Sequence, residues 1–125
     1  MGQSHHGNST VRNNVALNPN LTMIATDSVD RIGRVLGGRY SSNSSTNNYA
    51  NSAMTLTYRG MTSATTYSSS SYPRDNGTSI TSSDWNSASW WENTAKFPSS
   101  AWDFRAGLLP TLKDMPAGTQ NPTVP

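Results

Sequence analysis

The chain has 125 residues, enough for one domain, with 33% apolar side chains, 13% charged side chains and a formal net charge of +2. So little apolar material rules out a large conventional core, while the scarcity of charge separates the chain from ordinary disorder, which pairs low hydrophobicity with high charge. The absence of cysteine excludes a disulfide framework, an iron–sulfur cluster and a thiol nucleophile, and no apolar run reaches the length of a membrane span or a signal h-region.

What replaces apolar residues is 20 Ser, 15 Thr and 13 Asn. These side chains pair with backbone groups at turns and suit short strands. Residues 1–8 contain the two histidines, His5 and His6, and read as a disordered end. No other soft ligand stands near them, so no metal site is expected.

Asn13-Asn14-Val15-Ala16 recurs as Asn47-Asn48-Tyr49-Ala50, 34 residues on. Each copy follows a short Ser/Thr-containing stretch and precedes an alternating apolar/polar run: Leu21 and Met23 around Thr22, then Met54, Leu56 and Tyr58 around Thr55 and Thr57. That alternation is the period of a half-buried strand. Between the copies, Ile32-Gly33-Arg34-Val35-Leu36-Gly37-Gly38 reads as a further strand ending in a turn. Arg31, Arg34 and Arg39 have no interleaved aromatics and read as a solvated strand face, so no nucleic-acid partner is expected.

Residues 9–61 are thus predicted as tandem strand repeats. Residues 62–83 are of low complexity, with Pro73 and the turn signal Asp75-Asn76-Gly77, and read as a Ser/Thr-rich surface loop. Residues 84–115 form a tryptophan-rich segment holding all four indoles of the chain, Trp85, Trp90, Trp91 and Trp102. Residues 116–125 form a proline-rich tail, expected to be extended or disordered.

Short strands with Asn-Asn at matching turns predict an all-β fold, a short parallel β-solenoid, with a small β-sandwich as the alternative. In a solenoid, backbone pairs between successive rungs and equivalent side chains stack in columns. Asn13 and Asn14 are then expected near Asn47 and Asn48. Val11, Val15 and Leu17 would face inward from one rung, and Tyr49, Met54 and Leu56 from the next. A narrow core needs few large residues, but a short stack exposes unpaired strand edges, which must be covered. The tryptophan segment is read as an aromatic cap, with Trp102 and Phe104 sharing a face and forming its core.

The alternative role for the indoles is a sugar-binding platform. Trp90 and Trp91 are adjacent and in a strand would point to opposite faces, so one could be exposed. Trp85, Trp90 and Trp91 are the ligand-binding candidates on that reading. Asp84, Glu92 and Asp103 stand near these indoles, but acids beside tryptophans usually cap turns. No histidine accompanies a serine and an acid as a hydrolase triad requires. No catalytic residue, metal or cofactor is assigned.

The pieces TVRNNVALNPNLT, DRIGRVLGG, STNNYANSAMT and DWNSASWWENTAKFPSSAWDFRAGLLPTLK together resemble the C-terminal portion of bacterial repeat proteins carrying the GLUG motif, over roughly residues 9–113. The resemblance implies an extended right-handed β-helical exoprotein, adhesin-like or hemagglutinin-like, with no catalytic residues to carry over. Family members usually have many repeats, and here two are visible. The expectation is a non-enzymatic bacterial module, secreted or on the cell surface, that is structural or adhesive. Its partners would be upstream repeats of a parent protein or further copies of itself, with glycans or a host surface as ligands. A carbohydrate-binding module and a self-assembling fibre subunit are the two alternatives, and membrane insertion is not expected.

Overall fold

The computed structural model describes residues 9–24, 32–37, 44–58, 61–63, 76–116 and 118–123. Arg31, Arg39, residues 1–8 and most of the expected surface loop lie outside the described residues. The described chain is mostly strand with few helices, and it divides into two compact units, Met1–Ser79 and Ile80–Pro125. Among the described residues no helix is long and apolar enough to cross a membrane.

The first unit uses one layout twice. Strands β1 (Thr10–Arg12), β2 (Val15–Ala16) and β3 (Asn20–Met23) make the first copy; β4 (Ser44–Thr46), β5 (Tyr49–Asn51) and β6 (Thr55–Tyr58) make the second. Each second-copy strand pairs in parallel with its counterpart: β1 with β4, β2 with β5, and β3 with β6. Thr10 faces Ser44, Val15 faces Tyr49 and Ala16 faces Ala50, so the repeated Asn-Asn motifs lie in register as expected. After that the second copy is one residue longer. The turn at Ser52-Ala53 absorbs the addition, Asn20 faces Thr55, and Leu21 again meets Leu56. The insertion sits in a turn, where it leaves the strand alternation intact; inside a strand it would have exchanged the two faces.

The core of this unit is Ala16, Ile32, Val35, Ala50, Met54 and Leu56, with Leu21 and Met23 packed against it. Met54 and Leu56 are fully buried, and each contributes about 1.5–3 kcal/mol by leaving water. The inward positions at β2 and β5 are therefore Ala16 and Ala50. Val11, expected to face inward, is the half-buried residue of β1 between two exposed neighbours, whereas Val15, Leu17 and Tyr49, also expected inward, are half-buried beside a buried alanine. A narrow interior takes the small side chain, and the bulky neighbour turns to the other face.

Three further departures from the sequence reading are physical. The segment 32–37 is buried throughout but forms only a single bridge, at Leu36, and no strand. It acts as a core plug rather than a paired strand. Arg34 in this segment is 8% exposed and does not lie on a solvated face. Its Nη1 donates to Asn51 O at 3.2 Å, and its Nη2 to Gly77 O at 3.2 Å and Ser79 Oγ at 3.0 Å. Burial pushes its pKa below the usual guanidinium range. These acceptors are carbonyls and a hydroxyl, so the guanidinium works as a hydrogen-bond hub joining three chain segments.

The segment expected as a surface loop also contributes order. β7 (Met61–Ser63) runs antiparallel to β6. β8 (Thr78–Ile80) is the third strand of a sheet ordered β2-β5-β8, and Thr78 N donates to Asn48 O at 2.8 Å. Gly77 makes this approach possible. Its φ is +64°, and a Cβ there would lie 2.9 Å from both Asn48 O and Val35 Cγ2. Gly77→Ala should cost about 2–4 kcal/mol, combining a left-handed non-glycine residue with overpacking. Gly107 has a φ of +75°, but a Cβ added there would meet nothing within 4 Å. The same change at Gly107 should cost only about 1–2 kcal/mol. Urea midpoints of the two variants check this, and equal shifts would refute the close-packing argument.

The second unit opens with helices α1 (Ser82–Trp85) and α2 (Ala88–Asn93), followed by the antiparallel pair β9 (Trp102–Asp103) and β10 (Thr111–Leu112). The Thr81 amide donates to Asp84 Oδ2 at 2.8 Å and fixes the start of α1. The described residues of the proline-rich tail, expected to be extended or disordered, make a turn in which Thr119 N donates to Pro116 O at 3.2 Å, and they are tied down. Gln120 places its amide along β10, accepting from Leu112 N at 2.7 Å and donating to Leu112 O at 2.9 Å, while Leu109 N donates to Pro122 O at 2.7 Å. The glutamine amide stands in for a strand backbone and satisfies the β10 edge.

Candidate functional site

Two constellations were singled out by sequence, and each lies within one unit. The first is the asparagine pair of pairs. Asn13 and Asn47 both adopt left-handed backbone, with φ of 57° and 54°. Asparagine tolerates this conformation better than other residues with a side chain. At these corners the side chains stack: Asn47 Nδ2 donates to Asn13 Oδ1 at 2.8 Å, and the Tyr49 hydroxyl donates to Asn47 Oδ1.

Asn48 is the buried member, 4% exposed. Its Oδ1 accepts from Asn14 N at 3.0 Å and from Asn14 Nδ2 at 2.9 Å. Its Nδ2 donates to Val11 O at 3.1 Å and to Ser45 Oγ at 3.0 Å. One side chain therefore replaces the strand ladder at the corner where the chain leaves β1 and β4. All four asparagines named from the repeat meet as expected. Their role is structural: they satisfy backbone groups that the turn would otherwise leave without partners.

The second constellation is aromatic. Trp90 and Trp91 lie on helix α2, not on a strand. Their differing exposure follows from helical position: Trp91 is 3% exposed, and Trp90 is half-buried. Trp91 Nε1 donates to Trp85 O at 2.8 Å, and Trp85 is itself 7% exposed. The rings form a file. Trp90 meets Trp91 edge-on, with centroids 5.1 Å apart and planes at 83°; Trp91 meets Phe97 at 5.3 Å; Phe97 meets Trp102 at 5.0 Å. Each such contact adds about 0.5–1.5 kcal/mol beyond area burial.

This arrangement differs from the expected one in the choice of indoles that are buried. Trp85 and Trp91, offered as platform candidates, are the buried centre of the unit and present no face to a ligand. Trp102 and Phe104, expected as its core, are half-buried. Trp90 alone of the three platform candidates keeps an accessible ring. It lines an open hollow of about 280 Å³ together with Asp84, Asn93, Thr94 and serine hydroxyls from both helices. Asn93 was not singled out by sequence. Its place follows from the helical spacing of Trp90 and Asn93, which puts both on one face.

Two of the three acids near the indoles, Asp84 and Asp103, have local partners, and Glu92 is exposed. Asp84 holds the start of α1 through Oδ2. Asp103 Oδ1 lies 3.8 Å from Lys113 Nζ, whose ammonium also donates to Ser99 O at 2.7 Å. Both members of that ion pair are well exposed, so it contributes little. Among the described residues no group of three metal-ligating side chains comes together. No family model matches the chain, and comparison with curated proteins and with solved structures gives no match.

Proposed function

We propose that the chain is a non-enzymatic extracellular module of a bacterial repeat protein, built as a short β-solenoid and serving a structural or adhesive role. The observation that carries this reading is the parallel pairing of three consecutive strands with their counterparts about one repeat on, bonded at the corner through Asn13–Asn47 and Asn14–Asn48. Side-chain ladders at equivalent corners are what a stacked coil uses to keep its rungs in step. The resemblance of the same segments to GLUG-motif surface proteins points the same way. On this reading β1, β2 and β3 pair with a preceding rung of the parent protein.

A stacked coil has a property that other β folds lack: stability grows with each added repeat. Placing a second copy of residues 10–43 directly ahead of Thr10 should raise the urea midpoint and keep a single transition. A lowered midpoint, or a protease-sensitive extra segment, would refute the stack. The extracellular role is checked with antibodies on intact source cells. Labelling without permeabilisation is expected; labelling only after permeabilisation refutes it.

A further inference from the structure

We infer that the hollow beside Trp90 is a binding subsite for one ring of a neutral hexopyranose. The inference goes beyond the repeat-module reading and would survive its failure, because every residue it uses belongs to the Ile80–Pro125 unit.

Trp90 supplies a half-buried apolar ring at the hollow, and its orientation is held by packing against Trp91. Trp91 meets it edge-on and is locked by its own indole bond to Trp85 O. A platform held this way loses little side-chain freedom on binding. The C–H face of a pyranose carries slight positive charge and is attracted to the negative face of an indole.

Sugar hydroxyls need polar groups at the ring's edge, and these are present. Asp84 uses Oδ2 to hold Thr81, which leaves Oδ1 to accept from hydroxyls. Asn93 is exposed and offers both an amide donor and an acceptor. The remaining lining is Thr94 and serine hydroxyls, with no lysine or arginine. One carboxylate without a cation disfavours uronic and sialic acids and leaves neutral sugars as the fitting class. The hollow, about 280 Å³, is shallow and open, and its one aromatic ring offers a stacking surface for a single sugar ring.

The test is a titration of the full chain with methyl glycosides of glucose, galactose, mannose and N-acetylglucosamine, and with glucuronic acid, followed by NMR of the four indole N–H signals. At millimolar sugar at least one neutral glycoside should shift the Trp90 indole signal and the Asn93 side-chain amide, while glucuronic acid should not. Trp90→Ala should weaken binding at least about tenfold. Asn93→Ala, at an exposed position, should weaken it several-fold with an unchanged urea midpoint, which separates loss of binding from loss of folding. No shift with any neutral glycoside overturns the inference. Shifts that persist undiminished in both variants overturn it as well, as does equal binding of glucuronic acid.

Discussion

Trp91→Ala should destabilise the Ile80–Pro125 unit by about 3–5 kcal/mol, the range for removing a large buried aromatic side chain. Trp91 is 3% exposed and sits in the middle of the ring file, touching both Trp90 and Phe97. Its removal breaks two ring contacts and opens a cavity between helix α2 and the Phe97 turn. It also leaves Trp85 O without the indole donor it now has at 2.8 Å, and an orphaned buried acceptor costs about 1–3 kcal/mol. A unit this small has little stability in reserve, so the variant should lose most of its near-ultraviolet aromatic circular dichroism at room temperature. Trp91→Phe keeps a ring in the file but lacks the N–H, and should lose about half as much. Chemical denaturation of the parent and of the Trp91→Ala, Trp91→Phe and Trp102→Ala variants decides the matter. If Trp91→Ala costs no more than the same change at half-buried Trp102, the central place given to Trp91 is wrong.

The repeat was readable because a corner ladder demands the same residue at the same position in successive copies. Asn-Asn is costly to misplace, so it recurs visibly. The inward alanines were not readable as core. Val15 and Tyr49 are the stronger apolar signals, and only the strand phase after a left-handed corner reveals that Ala16 and Ala50 point inward. β8 was hidden for a related reason. Asn76-Gly77 also turns through a left-handed residue, but it is Gly77, directly before β8, whereas Asn13 and Asn47 lie two residues before their strands; the motif is therefore shifted, and the flanking serines and threonines mimic a loop.

Helices α1 and α2 did leave a trace. Thr81-Ser82-Ser83-Asp84 has the spacing of a capping box, and Trp91 and Ala95, four apart, are both buried. Reading the tryptophans as strand residues made the adjacent pair an in-and-out alternation. The helix gives the same contrast in exposure by a different geometry, and so moves the accessible ring to Trp90. Arg34 had no local signature. A lone arginine between glycine and valine gives no hint that Asn51 O, Gly77 O and Ser79 Oγ will converge on it from residues far along the chain.

The corner ladder makes a demand that separates two asparagines of the same motif. Asn48→Ala should destabilise the first unit by about 2–5 kcal/mol, because it strips partners from two backbone groups, Asn14 N and Val11 O, at about 1–3 kcal/mol each. Asn14→Ala should cost only about 0.5–1.5 kcal/mol, the net worth of an ordinary hydrogen bond. Asn14 is exposed, and the bonds its side chain gives to Asn48 Oδ1 and Arg12 O can be replaced by water. Asn48→Asp sharpens the argument. It keeps an acceptor for Asn14 N but loses both donated bonds and buries a carboxylate at a site that is 4% exposed, so it should be no more stable than the alanine variant. Hydrogen exchange at the Asn14 amide reports the same event locally. Exchange should accelerate strongly in both Asn48→Ala and Asn48→Asp, because both lower the free energy of opening at this corner. Equal losses of stability for Asn14→Ala and Asn48→Ala would mean that the ladder acts as two interchangeable surface bonds, and the buried corner would then not be what holds β2 against β5.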